Sequence, residues 1–383
     1  MFKVVLWDYT GESSAWAKNF LKDDVEIIRT LRPDDSDQAE VIMRGDWNFV
    51  LIFENGQREL FNEIFKTMRE MNVSTENIVF AKDFNSLLNN PAAVYALMKP
   101  ETCDQLYRHW NFLNHRRWHK YISASTEGLH YVAPSTDPFR MRNMFVSGVN
   151  WASNDMKIFH ALSKKYYGVD DSAGYFLDLG ANIGTTGLYF CKNLAPNLKL
   201  LAFEPDPENF KMHRINMILN DLEEKTALIN CGLGNEFNEL MLYRNGANSG
   251  ANGFIKHQYS RPIANIKVIL LDSYLAENKI AASEVKYIWI DTEGFEPQVL
   301  LGAKNLLIEN PAPVFMECNL RAWDNSGYFE DMMALLAKNY SHFIHVQGGE
   351  KIYLIDALRN FKRPDNPLGQ LGDIFLIRRG AIG

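Results

Sequence analysis

The sequence predicts an α/β protein in which an open, mostly parallel sheet in the C-terminal half follows a smaller α/β domain. Three observations predict it. Short apolar runs alternate with helical patterns along most of the chain, as parallel strands joined by crossover helices require. The 383 residues exceed the usual size of one domain. Residues 175–184, YFLDLGANIG, run an apolar strand into a glycine-rich loop, and the helical pattern TTGLYFCKNL follows.

Composition narrows the class. An apolar content of 46% with 23% charged residues is that of a soluble globular protein. The formal net charge of −7 counts against a nucleic-acid surface. Cys103, Cys191, Cys231 and Cys318 lie far apart with no C-x-x-C pair, which predicts free thiols in a reducing cytosol. The N-terminal apolar run is too short for a signal peptide and no stretch is long enough to span a bilayer, so the expected location is cytoplasmic.

In order along the chain, FKVVLWDYTG, VEIIRTL, WNFVLIFEN and ENIVFAK read as four strands, with helices at SSAWAKNFL and LFNEIFKTMREM. The expected division is a small α/β domain at 1–100, a connecting region at 101–150 and a larger domain at 151–383. Within the connection, His115, Arg116, Arg117, Trp118 and His119 have two readings. They form either a grip for an anionic group such as a diphosphate, or a solvated helix face with Trp118 packed inward. APSTDP is turn-rich.

In the larger domain, YFLDL is followed by LKLLAFEPDPENF, a second strand ending at Glu204, 26 residues beyond Asp178. Asp206 and Pro207 read as the cap and first position of a helix with Phe210, Met217 and Ile218 on one face. TALINCGLGN is a third strand, ELMLYRNGANSGANGFIKHQY a hairpin-like insertion, and IKVILLDSYL a strand entering a short helix. KYIWIDTEGFEPQVLLGAKNLL gives a buried strand, an acidic turn and a helix with Val299, Leu300, Ala303 and Leu307 as its core stripe. PVFMECN is the next strand, FIHVQGGEKIYLI a hairpin turning at Gly348 and Gly349, and DIFLIRR a last strand.

The loop points to a ligand. Its glycines, Gly180, Gly184 and Gly187, do not have the G-x-G-x-x-G spacing of a pyrophosphate loop, and Asp178 would repel a phosphate. An acid there suits a ligand with positive charge beside its ribose, and S-adenosylmethionine is such a ligand. An acidic residue at the end of the second strand, Glu204, is placed to accept hydrogen bonds from ribose hydroxyls.

DLGANIG, FEPDPENF, INCGLGN, LLDSYL and especially IDTEGFEPQVLLGA together resemble the FkbM family of class I S-adenosylmethionine-dependent methyltransferases. The resemblance covers roughly residues 170–320 and does not reach residues 1–140. Ile290, Asp291, Glu293, Gly294, Glu296, Leu300, Gly302 and Ala303 stand in register with the family's block, with Trp289 where lysine is usual. It implies a Rossmann-like domain with a seven-strand, mostly parallel sheet. Asp178, Gly180, Ala181, Asn182 and Gly184 would hold the methionine end of the cofactor. Glu204 with Pro205 would hold the ribose, and Gly232 with Leu233 would neighbour the adenine. The implied activity is O-methylation of a hydroxyl on a sugar, glycan or other small molecule, as in polysaccharide biosynthesis.

Three roles remain open for the acids at the carboxyl edge of the sheet. One of Asp291, Glu293 and Glu317 is the general base; or Asp291, Glu317 and Asn319 hold a divalent ion; or Asp291 and Glu293 tie down their own turn and cap the helix through Glu296 and Pro297. No metal site is committed to, and His257 is a further possible base. A nucleic-acid N-methyltransferase would want an (Asp/Asn)-Pro-Pro-aromatic motif where this chain has DTEGF. A non-catalytic ligand-binding or interaction protein built on the same domain is the alternative function, and self-association is left open.

Overall fold

A computed structural model describes residues 2–32, 34–44, 47–53, 66, 78–81, 93, 96–135, 137, 140–245, 249–349, 351–360 and 370–382. The chain divides into two compact units, Met1–Arg117 and Trp118–Gly383.

In the first unit, β1 (Lys3–Asp8), β2 (Glu26–Leu31), β3 (Phe49–Phe53) and β4 (Ile78–Phe80) form a parallel sheet in the order β2-β1-β3-β4. These are the four strands expected from the sequence, and Val4, Leu6, Leu51 and Phe53 are fully buried in its core. SSAWAKNF is helical over Ser13–Phe20. The expected helix LFNEIFKTMREM lies outside the described residues.

The second unit opens with an antiparallel pair, β5 (Tyr121–Thr126) and β6 (Leu129–Pro134). Its main sheet contains β7 (Tyr175–Leu179), β8 (Lys199–Phe203), β9 (Thr226–Ile229), β13 (Val285–Ile290), β14 (Val314–Asn319), β15 (Tyr340–His345), β16 (Ile352–Leu354) and β17 (Gln370–Arg378). Their order is β16-β15-β17-β14-β13-β7-β8-β9. The five strands from β14 to β9 run parallel, while β17, β15 and β16 pair antiparallel. Seven strands match the expected sheet, and the three-residue β16 extends its edge as the return arm of the expected C-terminal hairpin. The chain runs outward through β7, β8 and β9, then returns to place β13 beside β7. The carboxyl ends of β7 and β13 are therefore a topological switch point, where open α/β sheets bind ligands.

The third expected strand breaks in two. TALI joins the main sheet as β9, and Gly232–Leu233 forms β10 in a separate small sheet with β11 (Asn238–Arg244) and β12 (Arg261–Ile269). Asn230 at the break donates from Nδ2 to the carbonyls of Glu204 at 2.8 Å and Pro205 at 3.2 Å. The insertion is therefore a hairpin whose second arm is the strand read in IKVILL.

The helix Pro207–Leu219 starts as its sequence predicts, with Pro207 in its first turn. Asp206 Oδ1 accepts from Glu208 N at 2.7 Å and Asn209 N at 3.2 Å. Its buried face differs from the expected one. Asn209, Met212, His213 and Asn216 are buried, whereas Ile218 is half exposed. One physical reason is that Asn216 finds polar partners on this face. Asn216 accepts from Val132 N at 2.6 Å and donates to the carbonyls of Val132 at 3.2 Å and Ile183 at 2.8 Å. Asn220 accepts from His130 N and donates to its carbonyl. Two asparagines thus fasten β6 to the helix that follows Glu204.

Trp118 is 82% exposed and does not pack inward, and the neighbouring residues 115–119 are exposed with it. The four cysteines are free and buried. Among the described residues no helix is long and apolar enough to cross a membrane.

Removing Asn216 takes a hydrogen-bond partner from three backbone groups, the part-buried N–H and carbonyl of Val132 and the buried carbonyl of Ile183. Asn216→Ala is expected to cost about 3 kcal/mol, read as a lower urea midpoint of unfolding. A loss below roughly 1 kcal/mol would show that this asparagine does not fasten the hairpin.

Candidate functional site

A cleft partly open to solvent lies at the switch point. The loop after β7, the ends of β8 and β13, β10 and the insertion build its walls. Of the residues expected to hold a cofactor, Gly180, Asn182, Glu204, Pro205, Gly232 and Leu233 line it. Asp178, Ala181 and Gly184 do not.

Asp178 explains its own absence. Its side chain is fully buried beneath the loop, where Oδ2 accepts from Thr186 Oγ1 at 2.7 Å and Gly187 N at 2.9 Å. The acid closes the turn into the following helix, and Oδ1 is buried without a partner. Burial pushes its carboxyl up to about 7, against the two hydrogen bonds.

The loop itself is fully tied down. Gly180 N and Ala181 N both donate to the Phe203 carbonyl at 3.0 Å, and Gly184 N donates to the Ala181 carbonyl at 2.9 Å. Asn182 N donates to Glu204 Oε2 at 2.7 Å, and Ile183 N to Asn182 Oδ1 at 2.8 Å. Every backbone N–H from Gly180 to Gly184 therefore has a protein acceptor. Gly180 has φ +92°, and a Cβ there would lie 1.9 Å from the Asp291 carbonyl oxygen, so only glycine lets β7 and β13 close at this point.

Glu204 is 4% exposed. Besides Asn182 N it accepts from Asp206 N at 2.8 Å through Oε1. It also accepts a hydrogen bond from the Asn209 side chain. Burial raises this carboxyl to about 8, with the Asp206 charge adding to the effect. On the apolar side of the cleft, the Phe254 and Phe295 rings lie 5.2 Å apart, and Phe254 packs directly against Gly232.

Of the three acids considered for catalysis, Asp291 and Glu293 line the cleft and Glu317 does not. Both lining acids are half-buried, and the protein packed behind them raises them. Glu293 rises to about 8, first by burial and then by the Asp291 charge. It stands at φ +55°, a strained position that the turn holds in place. Glu296, not the lining pair, ties that turn. Its Oε1 accepts from Thr292 N and Oγ1 at 2.9 Å and from Gly294 N at 3.2 Å, and its Oε2 accepts from Trp323 Nε1 at 2.7 Å. Glu317 faces Asp373 across the β14–β17 register. Burial, joined by the charges of Asp291 and Glu296, pushes it well above the usual carboxylate range.

Among the described residues, no group of three or more His, Cys, Asp or Glu side chains could hold a metal ion. Asn319 instead caps the next helix, its side chain accepting from Ala322 N at 3.2 Å. His257 is exposed in the insertion and does not line the cleft.

The cleft also recruits residues that sequence reasoning missed, chief among them Arg140, Asn209, Asn252, Phe254, Thr292 and Phe295. Asn252 Nδ2 donates to Asp206 Oδ2 at 2.7 Å, which ties the insertion to the helix cap. The glycine-rich string NGANSGANG was a signal for close backbone approach. Arg140 had none, being a single arginine far from any motif.

Residues 178–344 match the family model described as "Methyltransferase FkbM domain". A stretch of 68 residues is 38% identical to "Methyltransferase sdnD" of Sordaria araneosa, covering 18% of this chain and 26% of that protein. The chain thus spans about a quarter of the length of this curated relative. Among solved structures, a methyltransferase FkbM from Methylobacillus flagellatus KT has a TM-score of 0.34 at 12% identity, over 98% of this chain and 90% of that one. An O-methyltransferase from Bacillus cereus in complex with SAH gives 0.34 at 11% identity, over 59% and 81%. TYW2 from M. jannaschii in complex with AdoMet gives 0.33 at 10% identity, over 68% and 85%. The glycine loop, Glu204 and the acidic turn all fall within the span that matches the methyltransferase FkbM domain model.

Proposed function

We propose that the chain is an S-adenosylmethionine-dependent O-methyltransferase whose acceptor is a hydroxyl of a sugar, glycan or other small molecule. The observation that carries the cofactor assignment is the state of the loop. Its amides are already committed to protein acceptors from Gly180 to Gly184, so it offers no cradle for a phosphate. The cleft instead presents the carboxylates of Glu204, Asp291 and Glu293 beside one guanidinium, Arg140. That charge balance suits a ligand that is cationic overall and carries no phosphate.

Each wall has a task in this reading. Glu204 accepts from ribose hydroxyls, and Leu233, Phe254 and Phe295 give the adenine an apolar surface. Gly180 and Asn182 border the methionine end. When bound, S-adenosylmethionine supplies a methyl group on a cationic sulfur, which an acceptor oxygen displaces. The protein's part is to hold that oxygen in line and to take its proton. Asp291 and Glu293 are the acids in the cleft able to do so. A carboxyl raised to about 8 is a stronger base than an ordinary one, and a nearby cation favours its ionised form. Glu317 lies behind the cleft and supports this charge balance without touching the acceptor. The glycan preference rests on the family resemblance and is tested by the acceptor screen.

Calorimetry with S-adenosylmethionine is expected to show one site, with Glu204→Ala weakening binding by roughly tenfold or more. An NAD control should show none. Methyl transfer to sugar and lipid-linked hydroxyl acceptors should follow, lost on replacing whichever of Asp291 and Glu293 serves as base. A folded protein that binds no S-adenosylmethionine contradicts the assignment, and binding without transfer to any acceptor class favours the non-catalytic alternative.

The raised acids also fix a pH dependence. Glu204 and Glu293 titrate near 8 and Asp178 and Asp373 near 7 when folded, against about 4 when unfolded. Between those values the folded state holds more protons, so stability is lost as pH rises through 7 and 8. Without ligand, unfolding free energy is expected to fall steadily from pH 6 to 8. A cationic ligand prefers the ionised acids, so its affinity should rise over the same window with release of protons. Urea melts and calorimetry in buffers of different ionisation enthalpy read the two effects, and stability that climbs with pH contradicts this account.

A further inference from the structure

Arg140 begins the helix Arg140–Ser147, lies outside the matched domain, and lines the cleft while only 8% exposed. Among the described residues its buried Nη1 has no hydrogen-bond partner. A guanidinium cannot shed its charge, so a buried donor left unfilled is costly unless a ligand completes it. The insertion makes room for this group. A Cβ on Gly250 would fall 2.0–2.2 Å from the guanidinium atoms. Asp291 and Glu293 feel the same charge, which works against the burial that raises them. One end of the cleft therefore sets a cation with an open donor beside two carboxylates. An α-amino acid, with its carboxylate and ammonium on one carbon, has the complementary pair of charges. A phosphate does not, because Asp291 and Glu293 would repel it.

We propose that Arg140 binds the α-carboxylate at the amino-acid end of S-adenosylmethionine, with Asp291 and Glu293 on the side of its ammonium. This assignment rests on the cofactor reading above. Arg140 is then the residue by which the protein distinguishes the intact cofactor from analogues that lack the carboxylate.

The test is calorimetric, with three ligands: S-adenosylmethionine, its decarboxylated form, and 5′-methylthioadenosine, which lacks the amino-acid end. The unaltered protein should bind the intact cofactor more tightly than the decarboxylated form by roughly 10- to 100-fold. Arg140→Met should erase that preference while leaving 5′-methylthioadenosine affinity unchanged, which also verifies folding. Arg140→Lys should keep part of it, since an ammonium retains the charge without the fork. Gly250→Ala, which crowds the guanidinium without altering charge, should lower affinity for the intact cofactor alone. A preference that survives in Arg140→Met overturns the assignment and leaves the cofactor reading standing. Failure of the unaltered protein to bind any of the three ligands overturns both.

Discussion

The cleft depends on how closely β7 and β13 approach at Gly180. Asp291 N donates to the Leu179 carbonyl at 2.9 Å, and the Asp291 carbonyl occupies the space a side chain would need at residue 180. That contact turns the loop away from β13 and over the end of β8, where Gly180 and Ala181 share the Phe203 carbonyl and Asn182 meets Glu204. From there the fastening continues outward. Glu204 holds Asp206 N, Asp206 caps its helix and receives Asn252, and Asn216 on that helix holds β6. A single chain of hydrogen bonds thus runs from the sheet's switch point to the antiparallel pair that precedes it, so the floor and two walls of the cleft are positioned together.

The same crowding sets the electrostatics. Asp178, Glu204, Asp291, Glu293, Glu296 and Glu317 gather at one edge of the sheet, and each is held above its ordinary range chiefly by burial. Such an arrangement is unfavourable to the protein alone. Arg140 offsets part of it, and a cationic ligand would offset more. Stability is thereby exchanged for a site predisposed to positive charge, a common pattern where buried acids cluster at a cleft.

Much of this was legible in the sequence. Strand and helix alternation gave the order of elements, because each strand of a parallel sheet is a short apolar run with its own crossover. Gly180, Asn182, Glu204, Asp291 and Glu293 reach the cleft because loop and strand ends are fixed by local geometry. What was not legible depended on long-range contact. The buried Asn216 reads as polar and exposed until β6 supplies its partners. Glu296, rather than Asp291 or Glu293, ties the acidic turn, and only its contact with Trp323 reveals that. Arg140 sits outside any motif, so nothing short of the folded arrangement brings it to Asp291.

The first unit shows how little an acid at a strand end means by itself. Asp8 closes β1 as Asp178 closes β7, its Oδ1 accepting from Thr10 N at 2.9 Å and Gly11 N at 2.8 Å, and its Oδ2 from Ser13 N at 3.0 Å. For Asp8 burial acts upward, but these donors together with the Ser13 and Thr10 side chains prevail and hold it at about 2. Asp178 has fewer donors and complete burial, and the balance reverses to about 7. The two turns share one device, a carboxylate capping the start of a helix. Among the described residues they differ in whether the sheet edge around it carries further raised acids. Around Asp178 it does, in Asp291 and Glu293, so the ligand chemistry proposed for the cleft rests on the company the capping acid keeps rather than on the cap.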